Sequence, residues 1–408
     1  MAGIAAAAAL ASFFETVDVF DKDELPDTPR PRKGVPQDLH VHTLLRGGEL
    51  ALESLMPGTR AALLAAGAAE ARQTEDVSIW ERDAWHATRD LGHSQLMMSR
   101  PAFEHMLRRQ VLKLGNVVIR DRTPVEALPF SADLTVIATG RGDTLLSGVG
   151  VPETVLGIEV RYSSARFAKA ARFRGEGRFI ACIPQPPDDR YGLVCPVEND
   201  EWLITLCSRF DDRVPDDLDG FRAYAEALPV PDIADRLREA VPLTPVRSYR
   251  IAEARWRHFE RSVGLLRRVL PIGDSISSFN PTFGQGMSVA AGHAAALRDV
   301  LAGWHGSLDG VAAAYLPRAA EVSRQAWSLA ALADLEYPRT EGERPANFDK
   351  IVLGSQAMRR AAVLHPEVQL LRFEIGNLLK PDSAARSGPA ARLVAREMAR
   401  AGGRTRER

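Results

Sequence analysis

Residues 270 to 292 read Leu-Pro-Ile-Gly-Asp-Ser-Ile-Ser-Ser-Phe-Asn-Pro-Thr-Phe-Gly-Gln-Gly-Met-Ser-Val-Ala-Ala-Gly. The pattern predicts a short buried strand that delivers Gly273 and Asp274, a loop closed by Pro281, and a helix opened by Gly284-Gln285-Gly286. Such a helix start suits an anion or the edge of a flat ligand. Glycines admit close backbone approach, the first N–H groups point outward, and the dipole favours negative charge. Asp274 could accept hydrogen bonds from a ligand hydroxyl. The same residues also read as a plain strand-turn-helix with a capping Asp, and the glycines alone do not separate the two.

Other chemistry-bearing residues say less. Cys182, Cys195 and Cys207 match neither a redox pair nor a zinc site and are too few for a disulfide scaffold, which points to a reduced, cytoplasmic protein. His40 and His42 have no third ligand nearby and read as loop residues. No Ser-His-Asp arrangement and no metal-ligand spacing is visible. Arg32, Lys33 and Arg100 could meet phosphates or could be solvated surface charges. Arg392, Arg396 and Arg400 recur every four residues, as on a solvated helix face.

The elements that must position these residues alternate in texture. An Ala-rich helix over 4–14 precedes a strand at 16–20 and a Pro-broken loop at 21–38. Helical patterns fill 46–71 and 100–114, the second with Ser99 as N-cap, and strands follow at 116–120 and 132–140. From 151 to 264 short alternating strands dominate (156–162, 178–183, 191–197, 201–207, 246–254), broken by a helix near 217–240. Residues 286–302 form a strong helix, and 306–408 are helical throughout. The expected organisation is α/β: a Rossmann-like domain in two parts, 1–146 and 265–305, an inserted mixed sheet at 147–264, and a helical region at 306–408.

The 408 residues carry 52 basic and 53 acidic side chains, so the net charge of −1 leaves no overall field for nucleic acid or an anionic membrane. Only 6 of the 52 basic residues are Lys, a bias that suggests a GC-rich bacterial genome. The apolar start, MAGIAAAAALASFF, lacks a preceding Lys or Arg and is followed by Glu15, so it does not read as a signal peptide. No run approaches the roughly 18 apolar residues of a membrane span.

The order Gly273-Asp274, Pro281, Gly284-Gln285-Gly286-Met287 closely resembles the second FAD motif of the group A flavoprotein monooxygenases. The resemblance implies that Asp274 binds FAD ribose or ribityl hydroxyls. It also implies that Pro281, Gly284, Gln285, Gly286 and Met287 form the loop and helix start at the flavin's pyrimidine edge. Pro31-Arg32-Lys33-Gly34-Val35-Pro36-Gln37 with His40-Val41-His42 resembles the cofactor-wrapping segment of a bacterial subgroup of epoxidases and natural-product hydroxylases, which makes Arg32 and Lys33 candidates. Ser99-Arg100-Pro101-Ala102-Phe103-Glu104 matches the helix whose Arg approaches the FAD phosphates. Val125 stands where that family's backbone meets adenine, and Gly140 ends the strand of its Asp-Gly motif. Gly3 fits the third glycine of a first dinucleotide fingerprint and Asp21 its ribose-binding acid. The resemblance spans Gly3 to about Pro345. It implies a single-component monooxygenase that takes electrons from NAD(P)H and passes oxygen from O₂, through a C4a-hydroperoxyflavin, to a small hydrophobic molecule. That substrate would lie near Tyr162, Phe179, Ile183, Leu193, Val194 and Trp202, although core packing is the simpler reading of any one of these residues.

Three departures qualify it. The first strand and first two glycines would precede Met1, so either the start is misplaced or the central strand is lost. Ile137 replaces the Asp of the Asp-Gly motif, and Asp143-Thr144 its Ser-Arg pair, which weakens the nicotinamide reading. The hairpin between Pro129 and the strand at 132 is shortened. Halogenase chemistry is disfavoured because Trp-x-Trp-x-Ile-Pro is absent. An FAD-dependent dehydrogenase or reductase and a non-catalytic flavoprotein remain as rivals.

Overall fold

The computed structural model describes residues 1–128, 131–183, 185–210 and 213–406. In chain order the N-terminal part contains α1 (Ala2–Leu10), β1 (Val17–Phe20), α2 (Arg46–Leu55), α3 (Thr59–Ala65), β2 (Ala69–Arg72), β3 (Val77–Glu81), β4 (Ala84–Trp85), β5 (Ser94–Met97), α4 (Arg100–Leu112), β6 (Val117–Arg120) and β7 (Thr135–Ile137). The middle contains β8 (Glu153–Ala168), β9 (Phe179–Ile183), β10 (Tyr191–Val197), β11 (Glu201–Arg209), α5 (Leu218–Glu226), α6 (Asp232–Leu237), β12 (Val241–Pro242) and β13 (Arg247–Arg257). Then come β14 (Val269–Pro271), β15 (Ser277–Ser278), α7 (Gly286–Ala302), α8 (Val311–Leu335), α9 (Phe348–Leu364), α10 (Pro366–Gly376) and α11 (Gly388–Arg406).

Ala-rich α1 is buried from Ile4 to Leu10, because a helix surfaced with methyl groups can approach neighbours on every side. It packs against α7, α4 and β1. Around it, parallel pairing joins β1 to β6 (Val17 opposite Val117) and β7 to β14 (Thr135 opposite Val269). These are two separate two-stranded sheets. Both are short; Val17 and Val117 of the first pair face the core, while Asp18, Phe20, Val118 and Arg120 are exposed.

The larger sheet has the order β15-β13-β8-β11-β10-β9-β3-β4, with β12 added beside β8. Its pairings are antiparallel except for β3 with β9 (Val77 opposite Phe179). Side-chain alternation gives it two apolar faces. Ile180, Val194, Trp202 and Ile204 pack under α5 and α6 with Phe221 and Ile233. Phe179, Ala181, Leu193 and Leu203 turn the other way, towards Met97 and Val77.

The architecture is thus the expected α/β arrangement with an inserted mixed sheet and a helical C-terminal region, with three local differences. Residues 69–71, expected to close a helical stretch, lie instead in β2 (Ala69–Arg72), which pairs with β5. β3 and β4, unassigned in the sequence reading, extend the inserted sheet from within the first 146 residues. β8 runs for 16 residues instead of seven. The shortened connection at Pro129 lies outside the described residues. Among the described residues no helix is long and apolar enough to cross a membrane.

Candidate functional site

Just past β14 stands Gly273, whose φ of +62° and crowding against Ala2 and Ala290, 2.9 and 3.3 Å from where a Cβ would sit, exclude any other residue. Its N–H donates to Nδ1 of His293, 3.1 Å away on α7. Asp274 follows, half-buried. Among the described residues its carboxylate makes no hydrogen bond or ion pair. Burial raises its pKa, opposed by the fields of Arg141, Arg100 and the chain's amino group.

The loop beyond is pinned at three points. Gly140 N–H donates to Ser275 Oγ at 3.1 Å. Thr282 N–H donates to Asn280 Oδ1 at 3.1 Å. Gly284 adopts φ +64° against Thr43, whose hydroxyl a Cβ would overlap. No side chain caps α7, so its first-turn N–H groups keep their donor capacity. A Cβ on Gly286 would lie 3.6 Å from Asp274 Oδ1, which puts the carboxylate beside that helix start. Gln285 Oε1 is buried without a partner among the described residues.

A second cluster forms where the wrapping loop meets α4. Arg32 is ion-paired three ways: Nε to Glu104 at 2.9 Å, Nη1 to Asp23 at 2.7 Å and to Asp21 at 3.2 Å. Arg100 sits in the first turn of α4, after the cap in which Ser99 Oγ accepts from Ala102 N–H. Its Nε is buried without a hydrogen bond, and the nearest acids, Glu104 and Asp38, stand at 3.7 and 4.0 Å. One oxygen of each of those acids is equally unpartnered among the described residues. Burial pushes Asp38 up to about 6 despite Arg100. Glu104 is held near 2, the amino group, Arg100 and Arg32 outweighing burial. Arg100 contributes to the field at both Asp38 and Asp274, which links the two clusters.

The remaining expected residues are placed less centrally. Gly3 packs on Ala138, its Cβ position 3.5 Å from that side chain. Gly140 takes φ +80° at the end of the β7 segment. Val125 is half-buried, and Lys33 is exposed with no ion pair among the described residues. Pro281 opens the 3-10 turn before Gly284, and Met287 is buried in the first turn of α7.

Several participants were not foreseen. Arg141 donates to the carbonyls of Glu253 and Phe279, both at 3.2 Å, and so joins the inserted sheet to the Asp274 loop. His293, Thr43, Ser275 and Asp38 likewise stood outside the expected set. Asp143, in place of the usual Ser, accepts from Thr139 Oγ1 at 2.8 Å and Leu145 N–H at 3.0 Å, and also pairs with Arg257 of β13 at 3.4 Å.

Two expected substrate contacts are displaced. Val194 and Trp202 point to the α5–α6 face, away from the loop, because strand alternation sends them opposite to Phe179 and Leu193. Tyr191 instead reaches the loop, its hydroxyl 2.5 Å from Thr282 Oγ1.

No family model matches the chain. It is 31% identical over 401 residues to protein Rv3254 of Mycobacterium tuberculosis, an alignment covering 86% of this chain and 84% of that one. Its structure is similar to that of the flavin-dependent brominase Bmp2, with TM-score 0.66, 15% identity, and coverage of 100% of this chain and 97% of the other. It is also similar to 2-methyl-3-hydroxypyridine-5-carboxylic acid oxygenase, with TM-score 0.61, 18% identity, and coverage of 81% and 87%.

Proposed function

Because the chain belongs to the same family as protein Rv3254 and has the fold of the group A flavoprotein monooxygenases, we propose that it is a cytoplasmic FAD-dependent monooxygenase. In this reading it hydroxylates or epoxidises a small hydrophobic, natural-product-like molecule, with NAD(P)H as electron donor and O₂ as oxidant. The observation that carries the reading is the Asp274 carboxylate. Among the described residues it stands without a partner of its own, beside a glycine-opened, uncapped helix start. A half-buried carboxylate with no protein donor keeps its acceptor capacity open to a ligand hydroxyl.

The residues present fit FAD at its ribityl and flavin end. Asp274 would accept from a ribityl or ribose hydroxyl. The N–H groups of Gly286 and Met287 would donate to the pyrimidine edge, where α7 offers about half a unit of positive charge. Arg100, with its unpartnered Nε, would donate to phosphate oxygens. Pro281, Gly284 and Gln285 shape the approach of the backbone. Towards the adenosine end, Asp21 would meet ribose hydroxyls with Arg32 holding its carboxylate in place, and Val125, Gly140, Gly3 and Lys33 would border the cofactor.

FAD, when bound, supplies the redox chemistry that activates O₂ and transfers one of its oxygen atoms. The chain's own part is to bind, orient and exclude water. Arg141 and Asn280 hold the Asp274 loop against the sheet and α8. Turnover with isotopically labelled O₂ tests the reading. Label in the product supports it, and turnover without label would assign the chain to the FAD-dependent dehydrogenases, which could share Asp274 and Gly286.

A further inference from the structure

Beside Thr282 and Phe283, the residues that lead into Gly284, lies a cavity of about 70 Å³. Its walls come from the C-terminal ends of β3, β9 and β11 and from α8 and α9, and include Arg209 and Arg359. Arg209 is 2% exposed. Its guanidinium lies over the Tyr337 ring at 4.4 Å, and Nη2 pairs with Asp334 at 2.9 Å. Asp334 also accepts from Asn280 at 2.6 Å, through the same Oδ1, while its Oδ2 is buried without a hydrogen-bond partner among the described residues. Nε and Nη1 of Arg209, and Nε of Arg359, have no hydrogen-bond acceptor among the described residues.

The two acids that line this cavity do not satisfy these donors, because each is engaged elsewhere. Glu81 pairs with Arg372 at 2.5 Å and His86 at 2.9 Å, and Glu336 with Arg82 at 2.6 Å. Arg359 reaches both acids through its terminal nitrogens, Nη1 3.6 Å from Glu81 and Nη2 donating to Glu336 at 3.4 Å, which leaves its Nε free. Of the guanidinium groups around the cavity, Arg209 and Arg359 are the buried ones, while Arg82 and Arg372, 35% and 30% exposed, hold Glu336 and Glu81 from the solvent side. Buried, unpaired donors are unfavourable until an acceptor meets them. A planar fork of N–H groups matches the two oxygens of a carboxylate.

We propose that this cavity is a carboxylate subsite in which Arg209 and Arg359 hold the acid group of the organic substrate against the Thr282–Phe283 loop. The inference rests on the monooxygenase reading only for calling the ligand a substrate. It narrows the substrate class to organic acids with an apolar body.

The test is calorimetric titration of the full-length protein with acetate, benzoate and octanoate and with their uncharged amides, recording flavin absorbance of the same samples. The acid that fits is expected to bind at least tenfold more tightly than its amide. Arg359→Gln is expected to remove that preference and leave flavin content unchanged. Arg209→Gln alone strands Asp334, so the paired variant Arg209→Gln/Asp334→Asn serves as the second test and should behave as Arg359→Gln does. Equal binding of acid and amide, no saturable binding of any acid, or an undiminished preference in Arg359→Gln would overturn the proposal. Colourless protein that still shows an arginine-dependent acid preference would support the subsite while removing the FAD reading. Yellow protein without the preference would do the reverse.

Discussion

Nδ1 of His293 accepts a hydrogen bond from the backbone N–H of Gly273 at 3.1 Å, tying the second turn of α7 to the turn that presents Asp274. Nε2 then donates to Ser323 on α8 at 3.0 Å, which fixes the tautomer. Ser323 in turn meets Ser277 at 2.9 Å. A buried imidazole thus positions the loop that we assign to cofactor binding.

His293→Leu would orphan the Gly273 N–H, at a cost of about 1–3 kcal/mol. We expect a melting temperature lower by a few degrees and weaker flavin retention. Unchanged values for both would show that this bond positions nothing.

His40, His42 and His293 are all held neutral by burial, at about 4, about 3 and about 4, against an ordinary 6.5. Their folded pKa values lie below the unfolded one, so the unfolded chain binds the extra protons. Their contribution is complete above pH 6.5 and is lost as pH falls towards 4. Denaturant midpoints should therefore fall across that window, and His293→Leu should flatten the fall. Glu104, already held near 2, adds losses only below about 4.5.

Asp38 has the opposite sign. Burial raises its pKa from 3.8 to about 6, so the folded state prefers the protonated acid and stability decreases as pH rises through 4 to 6. Asp38→Asn should stabilise the flavin-free protein at pH 8 by on the order of 2 kcal/mol and be neutral at pH 4. Urea midpoints at the two pH values check this; destabilisation at pH 8 would contradict it.

Gly284→Ala forces a side chain into φ +64° and onto the Thr43 hydroxyl. Flavin retention should drop sharply. Adding Thr43→Ala should restore part of it, because that change relieves the overlap and leaves the backbone strain of about 1–2 kcal/mol. Full retention in the single variant would mean that the loop adapts freely.

Trp202 serves as a control, because it lies fully buried under α5 and α6. Trp202→Ala should cost about 3–5 kcal/mol of stability while the folded fraction keeps its flavin and its acid binding. Lost ligand binding at unchanged stability would return Trp202 to the substrate site.

Much of this site is legible in the linear sequence, because its geometry is built from local signals. Gly286 to Ala302 is a helix with the expected bounds, and Ser99 caps α4 as its sequence predicts. What escapes is pairing over distance. Ala69 to Arg72 consists of helix-formers that become a strand only because β5 lies alongside. Val77 to Glu81 joins the inserted sheet through β9, about a hundred residues later. Arg141 reaches carbonyls 112 and 138 positions away, and nothing in its own neighbourhood announces that role. Alternation divides Leu193 from Val194 and Trp202, but which face is covered follows from where α5 and α6 dock. Arg209 reads as an ordinary strand end until α8 and α9 close over it.

The central claim is that Asp274 holds FAD. Visible absorbance of purified protein, wild type against Asp274→Ala, with folding of each checked by circular dichroism, tests it most directly. The account predicts yellow wild-type protein and a folded variant that has lost most of its flavin. Equal flavin content in the two, or a wild type that binds no flavin when FAD is supplied, would contradict it.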